Sequence, residues 1–336
     1  MQHVDVTILG AGAAGLACAA ACGRRGRRVI VLDHGGKSAR KVLASGGGRC
    51  NCTNQAVEAA DYVCANPHFV KSVLARFSPV EMLDWFHGGG VATAVEAGGK
   101  VFCRDGALAL ARFLENEARR SGAQLRLGTT VTGARKEGVT FVVETGAGPV
   151  RSETLVLALG GKSWPGLGAT GFGYALARGF GLAVTDTRPG LTPLLAGPDW
   201  CALCRELAGV SLPVRLTGPC DVAGELLFTH QGISGPAVLD ASLFWRPGET
   251  LSIDLLPGCD LEAVLAETTR LEVRNALARV LPKRLAAALC GRLSLTGPVG
   301  GLSPKVHREL ADQLAAMRVT RPRSSRWEVP RPRIQW

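Results

Sequence analysis

The residues best suited to chemistry come early in the chain, in the run Gly10-Ala11-Gly12-Ala13-Ala14-Gly15. The G-x-G-x-x-G spacing is that of a backbone turn that cradles a diphosphate. Gly10 permits a tight turn, Gly12 keeps the backbone bare where phosphates approach, and Gly15 lets a helix pack closely on the preceding strand. A helix starting at this point aims unpaired N–H groups and the positive end of its dipole at an anion, which places Ala13 and Ala14 beside it. Asp33 closes the next apolar run, Val29–Leu32, where a carboxylate can accept hydrogen bonds from adenosine ribose hydroxyls. An acid there disfavours a 2′-phosphate, so FAD or NAD fits better than NADP. The bland alternative is a glycine-rich turn with no ligand.

The elements needed to position this turn are legible around it. Residues 4–9 form an alternating, β-branched strand, 13–24 a helix and 29–32 a second strand, which together make one βαβ unit. The crossover should be right-handed and the strands parallel. Further helices are expected over 78–87, capped by Ser78 with Pro79 and Glu81, and over 107–120. Strands follow at 124–128, 130–134, 139–144 and 154–159, then a short helix at 171–179. Near Pro189 the pattern changes to prolines, glycines and short apolar runs at 191–195, 212–216, 224–228 and 251–255, as in an antiparallel β unit. Helices are then expected over 261–280, over 282–290 and from Ser303-Pro304. From Arg318 onward Arg, Pro, Ser and Trp sustain no period, so an irregular segment is expected.

A second polar run, from Lys41 to Asn54, holds Ser45, Gly46, Gly47 and Gly48, then Arg49, Asn51 and Thr53. Consecutive glycines beside these polar side chains suit a loop wrapped on a polar ligand, presenting backbone N–H groups and a guanidinium. A mobile surface loop is the alternative reading. The run Gly166 to Gly171 is a second formal G-x-G-x-x-G. Trp164 and Pro165 separate it from the strand before it, so it reads as a turn lining the crevice. His230, in a loop-like segment, is the catalytic candidate as an acid or base; ordering its own loop is the alternative. Eleven cysteines without a repeating spacing read as reduced thiols. Cys201 and Cys204 lack the paired spacing of a zinc site, so no metal is expected, and Cys50 and Cys52 are read as packing more readily than as redox thiols.

Arg40-Lys41 through Ser45-Gly46-Gly47-Gly48-Arg49-Cys50-Asn51, with Thr53-Asn54, is followed by Ala158-Leu159-Gly160-Gly161-Lys162-Ser163-Trp164-Pro165. Later come Phe228-Thr229-His230-Gln231-Gly232-Ile233-Ser234-Gly235-Pro236 and Leu281-Pro282-Lys283-Arg284-Leu285. In this order the blocks resemble the BaiN and aminoacetone-oxidase family of NAD(P)/FAD-dependent flavoproteins. The resemblance implies an α/β fold: a Rossmann-like FAD-binding domain of the two-dinucleotide-binding type, with an inserted β-barrel-like domain and a small helical domain. It also implies FAD contacts from Ala14, Asp33, Arg40, Lys41, Gly46 and the neighbouring loop, and from the Val131 backbone at the adenine. Gly160 and Gly161 join this set through their own block. The expected division is 1–188 for the FAD-binding domain, 189–258 for the β domain, 259–317 for its helical part and 318–336 for the tail. The family closes with a Gly-Glu-x-Leu-Asp segment and a Gly-Gly-Tyr-Asn turn. The tail has neither, which reads as a truncated or frameshifted ending.

The formal net charge is +11, and the last nineteen residues alone contribute +5. Without a basic block interleaved with aromatics in the remainder, no nucleic-acid partner is expected. The uncharged stretch 6–23 is interrupted by glycines and reads as strand, turn and helix, so no membrane span and a cytoplasmic location are expected. These readings converge on an FAD-dependent oxidoreductase acting on a small organic substrate, with NAD(P)H or dioxygen as redox partner. Two alternatives stand beside it: a decayed relic that binds nucleotide weakly, and an FAD-dependent RNA-modifying enzyme.

Overall fold

The computed structural model describes residues 2–64, 66, 68–246 and 248–320. The chain divides into two compact units, one spanning Met1–Asp186 and the other beginning at Thr187.

In chain order the first unit contains β1 (Gln2–Leu9), α1 (Ala13–Gly23), β2 (Val29–Leu32), α2 (Arg40–Ala44), β3 (Asn51–Asn54), α3 (Lys71–Arg76) and α4 (Pro79–Gly88). It continues through β4 (Thr93–Val95), β5 (Lys100–Cys103), α5 (Ala107–Arg120), β6 (Gln124–Arg126), β7 (Val131–Glu137), β8 (Thr140–Thr145), β9 (Val150–Leu157) and α6 (Phe172–Gly179). A six-stranded sheet runs β6-β2-β1-β9-β8-β7. Its β6, β2, β1 and β9 are mutually parallel, while β8 joins β9 antiparallel.

The alternation within β1 and β2 supplies both faces of the parallel part. Ile8, Val29 and Val31 pack against Leu16 and Ala19 of α1 and Leu110 and Leu114 of α5. Leu9, Ile30 and Leu32 pack on the other face against Val131 and Ala134 of β7 and Val143 of β8. Helices thus cover one face of the parallel strands, and β7 and β8, the far end of the same sheet, fold over the other, so each apolar face is removed from water. The expected caps of α4 are present: Ser78 Oγ accepts from Glu81 N at 3.2 Å, and Glu81 Oε2 accepts from Ser78 N at 2.7 Å. A separate three-stranded antiparallel sheet, β3-β5-β4, follows the glycine loop and has no counterpart in the sequence reading.

The second unit contains β10 (Leu194–Leu195), α7 (Pro198–Glu206), β11 (Ser211–Thr217), β12 (Asp221–Thr229), β13 (Gly232–Ser234), α8 (Pro236–Ala241) and β14 (Thr250–Asp254). After these come α9 (Leu261–Glu267), α10 (Val273–Leu277), α11 (Lys283–Arg292), α12 (Pro304–Ala315) and β15 (Met317–Thr320). Its strands form one antiparallel sheet in the order β10-β13-β12-β11-β14-β15. Residues of both edge strands, Leu194 and Met317 among them, line one apolar pocket, so the sheet curls strongly although its edges do not pair.

Three expectations need correction here. The helix expected over 261–280 is broken into α9 and α10, because Thr268 Oγ1 donates back to Val264 O at 2.7 Å and the chain turns at Thr268. The strand expected over 191–195 shrinks to its last two residues, since Leu191 takes a left-handed φ of 54°. The segment from Arg318 is not irregular at its start: Arg318, Val319 and Thr320 pair with Ser252, Leu251 and Thr250. The rest of the expected tail lies outside the described residues. Among the described residues no helix is long and apolar enough to cross a membrane.

Candidate functional site

The carboxyl ends of β1, β2 and β9 converge on the glycine turn. Gly10 N donates to Leu32 O and Ala158 N to Leu9 O, each at 2.8 Å. Gly10 holds φ +106°, and a Cβ there would meet Ala158 O at 2.4 Å. A Cβ on Gly15 would meet Gly10 O at 1.9 Å, so α1 rests directly on the turn. Gly12 differs from both: a Cβ on it would meet nothing within 4 Å. Its φ of −81° and ψ of −176° are open to any residue. The absence of a side chain at Gly12 therefore serves no internal packing and leaves a bare backbone facing open space. Ala13 and Ala14 are exposed, and their first-turn amides have no acceptor within the helix. The donor set and the bare surface fit the diphosphate of a dinucleotide.

Asp33 is 9% exposed and holds the turn as well as facing it. Its Oδ2 accepts from Ala11 N at 2.8 Å, and its Oδ1 accepts from Gly35 N at 2.7 Å and Arg40 Nη2 at 2.9 Å. The bond to Gly35 is an Asx turn, a local signal in Asp33-His34-Gly35 that the sequence reading missed. Replacing Asp33 with Ala would strand the amides of Ala11 and Gly35, while Arg40 keeps Leu167 O. At about 1–3 kcal/mol for each of these two buried amides, Asp33→Ala should destabilise the protein by about 2–6 kcal/mol. Urea denaturation checks this. Wild-type stability in the variant would mean that the carboxylate contributes nothing to the turn.

Arg40 and Lys41, at the start of α2, reach across to the segment after β9. Arg40 Nη1 donates to Leu167 O at 2.6 Å, and its guanidinium lies on Gly35, where a Cβ would come within 2.5 Å of Cζ. Lys41 Nζ donates to Gly161 O at 2.9 Å, with Gly160 beside it. Burial, then the Arg40 charge, holds the Lys41 amine below the ordinary lysine range. The second glycine run forms a short turn over Pro165–Leu167 whose Gly168 lies against His34 and Arg40. Gly10, Gly12, Ala13, Ala14, Gly15, Asp33, Arg40, Lys41, Gly160 and Gly161 thus cluster around the carboxyl ends of β1, β2 and β9. Val131 starts β7 two residues after Thr129, whose N donates to Asp33 O at 2.8 Å.

The glycine loop follows α2. Ser45 Oγ donates to Val42 O, and Gly46, Gly47 and Gly48 all take left-handed φ values of 56°, 65° and 89°. Arg49 faces the three-stranded sheet. Its Nη1 pairs with Glu96 Oε1 at 2.5 Å and its guanidinium lies 4.3 Å from the Phe102 ring centroid, so its charge is engaged by the three-stranded sheet. Asn51 is exposed at the start of β3. The same sheet gathers Cys50, Cys52 and Cys103, whose sulfurs all lie within 4.8 Å of one another. A hydrogen bond from the Cys52 thiol lowers the Cys50 thiol to about 6, and the same bond raises Cys52. Burial raises Cys103. His230 lies in the second unit, exposed between β12 and β13. Among the described residues it has no carboxylate or hydroxyl partner to orient it as an acid or base.

A family profile described as HI0933-like protein Rossmann domain matches residues 4–306. The chain is 43% identical to the ribosomal RNA dihydrouridine synthase of Escherichia coli (strain K12) over 295 residues, covering 86% of this chain and 74% of that protein. It is 40% identical to the protein of the same name from Haemophilus influenzae (strain ATCC 51907 / DSM 11121 / KW20 / Rd), covering 84% and 73%. It is 30% identical to the 3-dehydro-bile acid delta(4,6)-reductase of Clostridium scindens (strain ATCC 35704 / DSM 5676 / VPI 13733 / 19), covering 77% and 66%. The expectation of no nucleic-acid partner runs against the first two names.

Proposed function

The chain belongs to the HI0933-like Rossmann family, and from that premise we propose that it is an FAD-dependent reductase that converts a uridine of ribosomal RNA to dihydrouridine. The observation that carries the substrate is the name shared by the Escherichia coli and Haemophilus influenzae relatives. This reading replaces the expectation of a small organic substrate. Composition alone gave no basic block to point to RNA, because cations dispersed over a surface leave no local signature. The net charge of +11 nevertheless favours approach to a phosphate backbone.

The glycine turn and its neighbours support the cofactor half of the reading. The amides of Gly12, Ala13 and Ala14 would hold the diphosphate of FAD, and Asp33 would face the adenosine ribose from its second lone pairs. Arg40, Lys41 and the Ser45–Gly48 loop would border the nucleotide. Bound FAD supplies two-electron reduction, with NAD(P)H as the source of the electrons. The protein's own contribution is position: strand ends, helix amides and a fixed lysine charge set where the cofactor lies before RNA arrives.

The test uses ribosomal RNA from a strain deleted for its dihydrouridine synthase, incubated with purified protein, FAD and NAD(P)H. Nucleoside mass spectrometry should show dihydrouridine, and adding salt should reduce the yield steeply. RNA left unmodified by a yellow protein that bleaches with NAD(P)H would overturn the substrate. A second reading, reduction of a small conjugated ketone, is favoured by the Clostridium scindens relative. Turnover of such a ketone beside inert RNA would select it.

A further inference from the structure

We propose that Cys50, Cys52 and Cys103 form a binding site for a thiophilic divalent cation of the zinc class. The fold brings Cys103, at the end of β5, against Cys52 of β3, and their sulfurs approach to 3.2 Å. All three sulfurs lie within 4.8 Å of one another. Tetrahedral zinc, with Zn–S bonds of about 2.3 Å, separates its sulfurs by about 3.8 Å. That spacing falls between the closest approach and the widest separation of this cluster, so small side-chain rotations complete a three-sulfur set. A fourth position is left for water or another donor.

The ligands stand on fixed backbone. Cys103 N donates to Cys50 O at 3.3 Å, which ties the two segments beside the sulfurs. Cys50 is buried and holds φ 57°, a left-handed conformation that a non-glycine residue adopts only under constraint. Three thiolates around a divalent ion leave one negative charge, which adds to that of Asp105 beside Cys103. Two features converge: a soft ligand set with the reach of a metal site, and a backbone that holds it in place. A disulfide between Cys52 and Cys103 would use only two of the sulfurs.

The consequence is a clip. Cys50 directly follows the Gly46–Arg49 loop, and Cys103 anchors it to the three-stranded sheet. A bound cation would fix the end of the loop whether or not a dinucleotide is present, so the proposal does not depend on the flavin reading.

The full chain, reduced and kept anaerobic, is titrated with Co2+ as the probe. One equivalent should bind with a near-ultraviolet sulfur-to-cobalt charge-transfer band, and Zn2+ should bleach it. Cys52→Ser and Cys103→Ser should each weaken binding by more than the roughly 10–100-fold that changes around a metal's ligands cost. Cys64→Ser, at an exposed thiol elsewhere, should keep the wild-type band. Should the variants fail to fold, wild-type protein still decides: maleimide should label the half-buried Cys52 in metal-free protein and lose it when Zn2+ is added, while Cys64 continues to react. No band in wild type, a band surviving in both variants, or a Cys52–Cys103 disulfide in protein isolated without metal would each overturn the site.

Discussion

Gly12→Val should remove dinucleotide binding while the chain remains folded. A side chain at this position meets nothing within 4 Å, and its backbone conformation suits any residue. The internal cost is confined to the helix cap and should stay within about 1 kcal/mol. The new methyl groups would occupy the space in which a diphosphate must approach the amides of α1. Affinity for FAD should therefore fall by roughly a hundredfold or more, since a misplaced diphosphate loses several charge-assisted hydrogen bonds at once. Equilibrium titration followed by flavin fluorescence measures the affinity, and urea denaturation measures the fold. Unchanged affinity would place the nucleotide elsewhere. Lost affinity together with lost stability would mean that Gly12 is a packing residue after all.

Gly15→Val should do the opposite. Its Cβ would fall 1.9 Å from Gly10 O and 3.1 Å from Gly10 C, and both are backbone atoms that cannot rotate away. Relief requires α1 to lift from the turn, which separates Leu16 and Ala19 from Ile8 and Val31. The destabilisation should reach about 3 kcal/mol or more, which for a unit of this size lowers the melting temperature by roughly 6–12 °C. Calorimetry in the absence of any nucleotide tests it. A melting temperature equal to that of wild type would show that the helix and strand are not in the contact described. The pair of variants separates two reasons for a glycine in one motif: open backbone at Gly12 and close packing at Gly15.

The same division separates what could be read from sequence and what could not. Strand β1, helix α1 and strand β2 were legible because alternation and β-branching are local, and a glycine turn with an acid one strand later constrains the chain over about thirty residues. Helix α5 likewise follows from its own amphipathic face, and its bounds match the expected 107–120. The break between α9 and α10 was not legible, because a continuous apolar period hides a threonine that bonds back to its own helix. Nor was strand β15, an alternating run of only four residues at the edge of an Arg- and Pro-rich stretch, which is a strand because β14 offers it an edge.

Sequence by itself determined the glycine turn and the βαβ frame around it, since each depends on residue type at short spacing. Tertiary structure alone decided that Asp33 is tied to Ala11, Gly35 and Arg40, that Arg49 turns to Glu96 and Phe102, and that Cys103 joins Cys50 and Cys52. The physical reason is range. Periodicity and turn chemistry act over a few residues, whereas the partner of a side chain is set by which strands the sheet brings side by side, and that is a property of the whole fold.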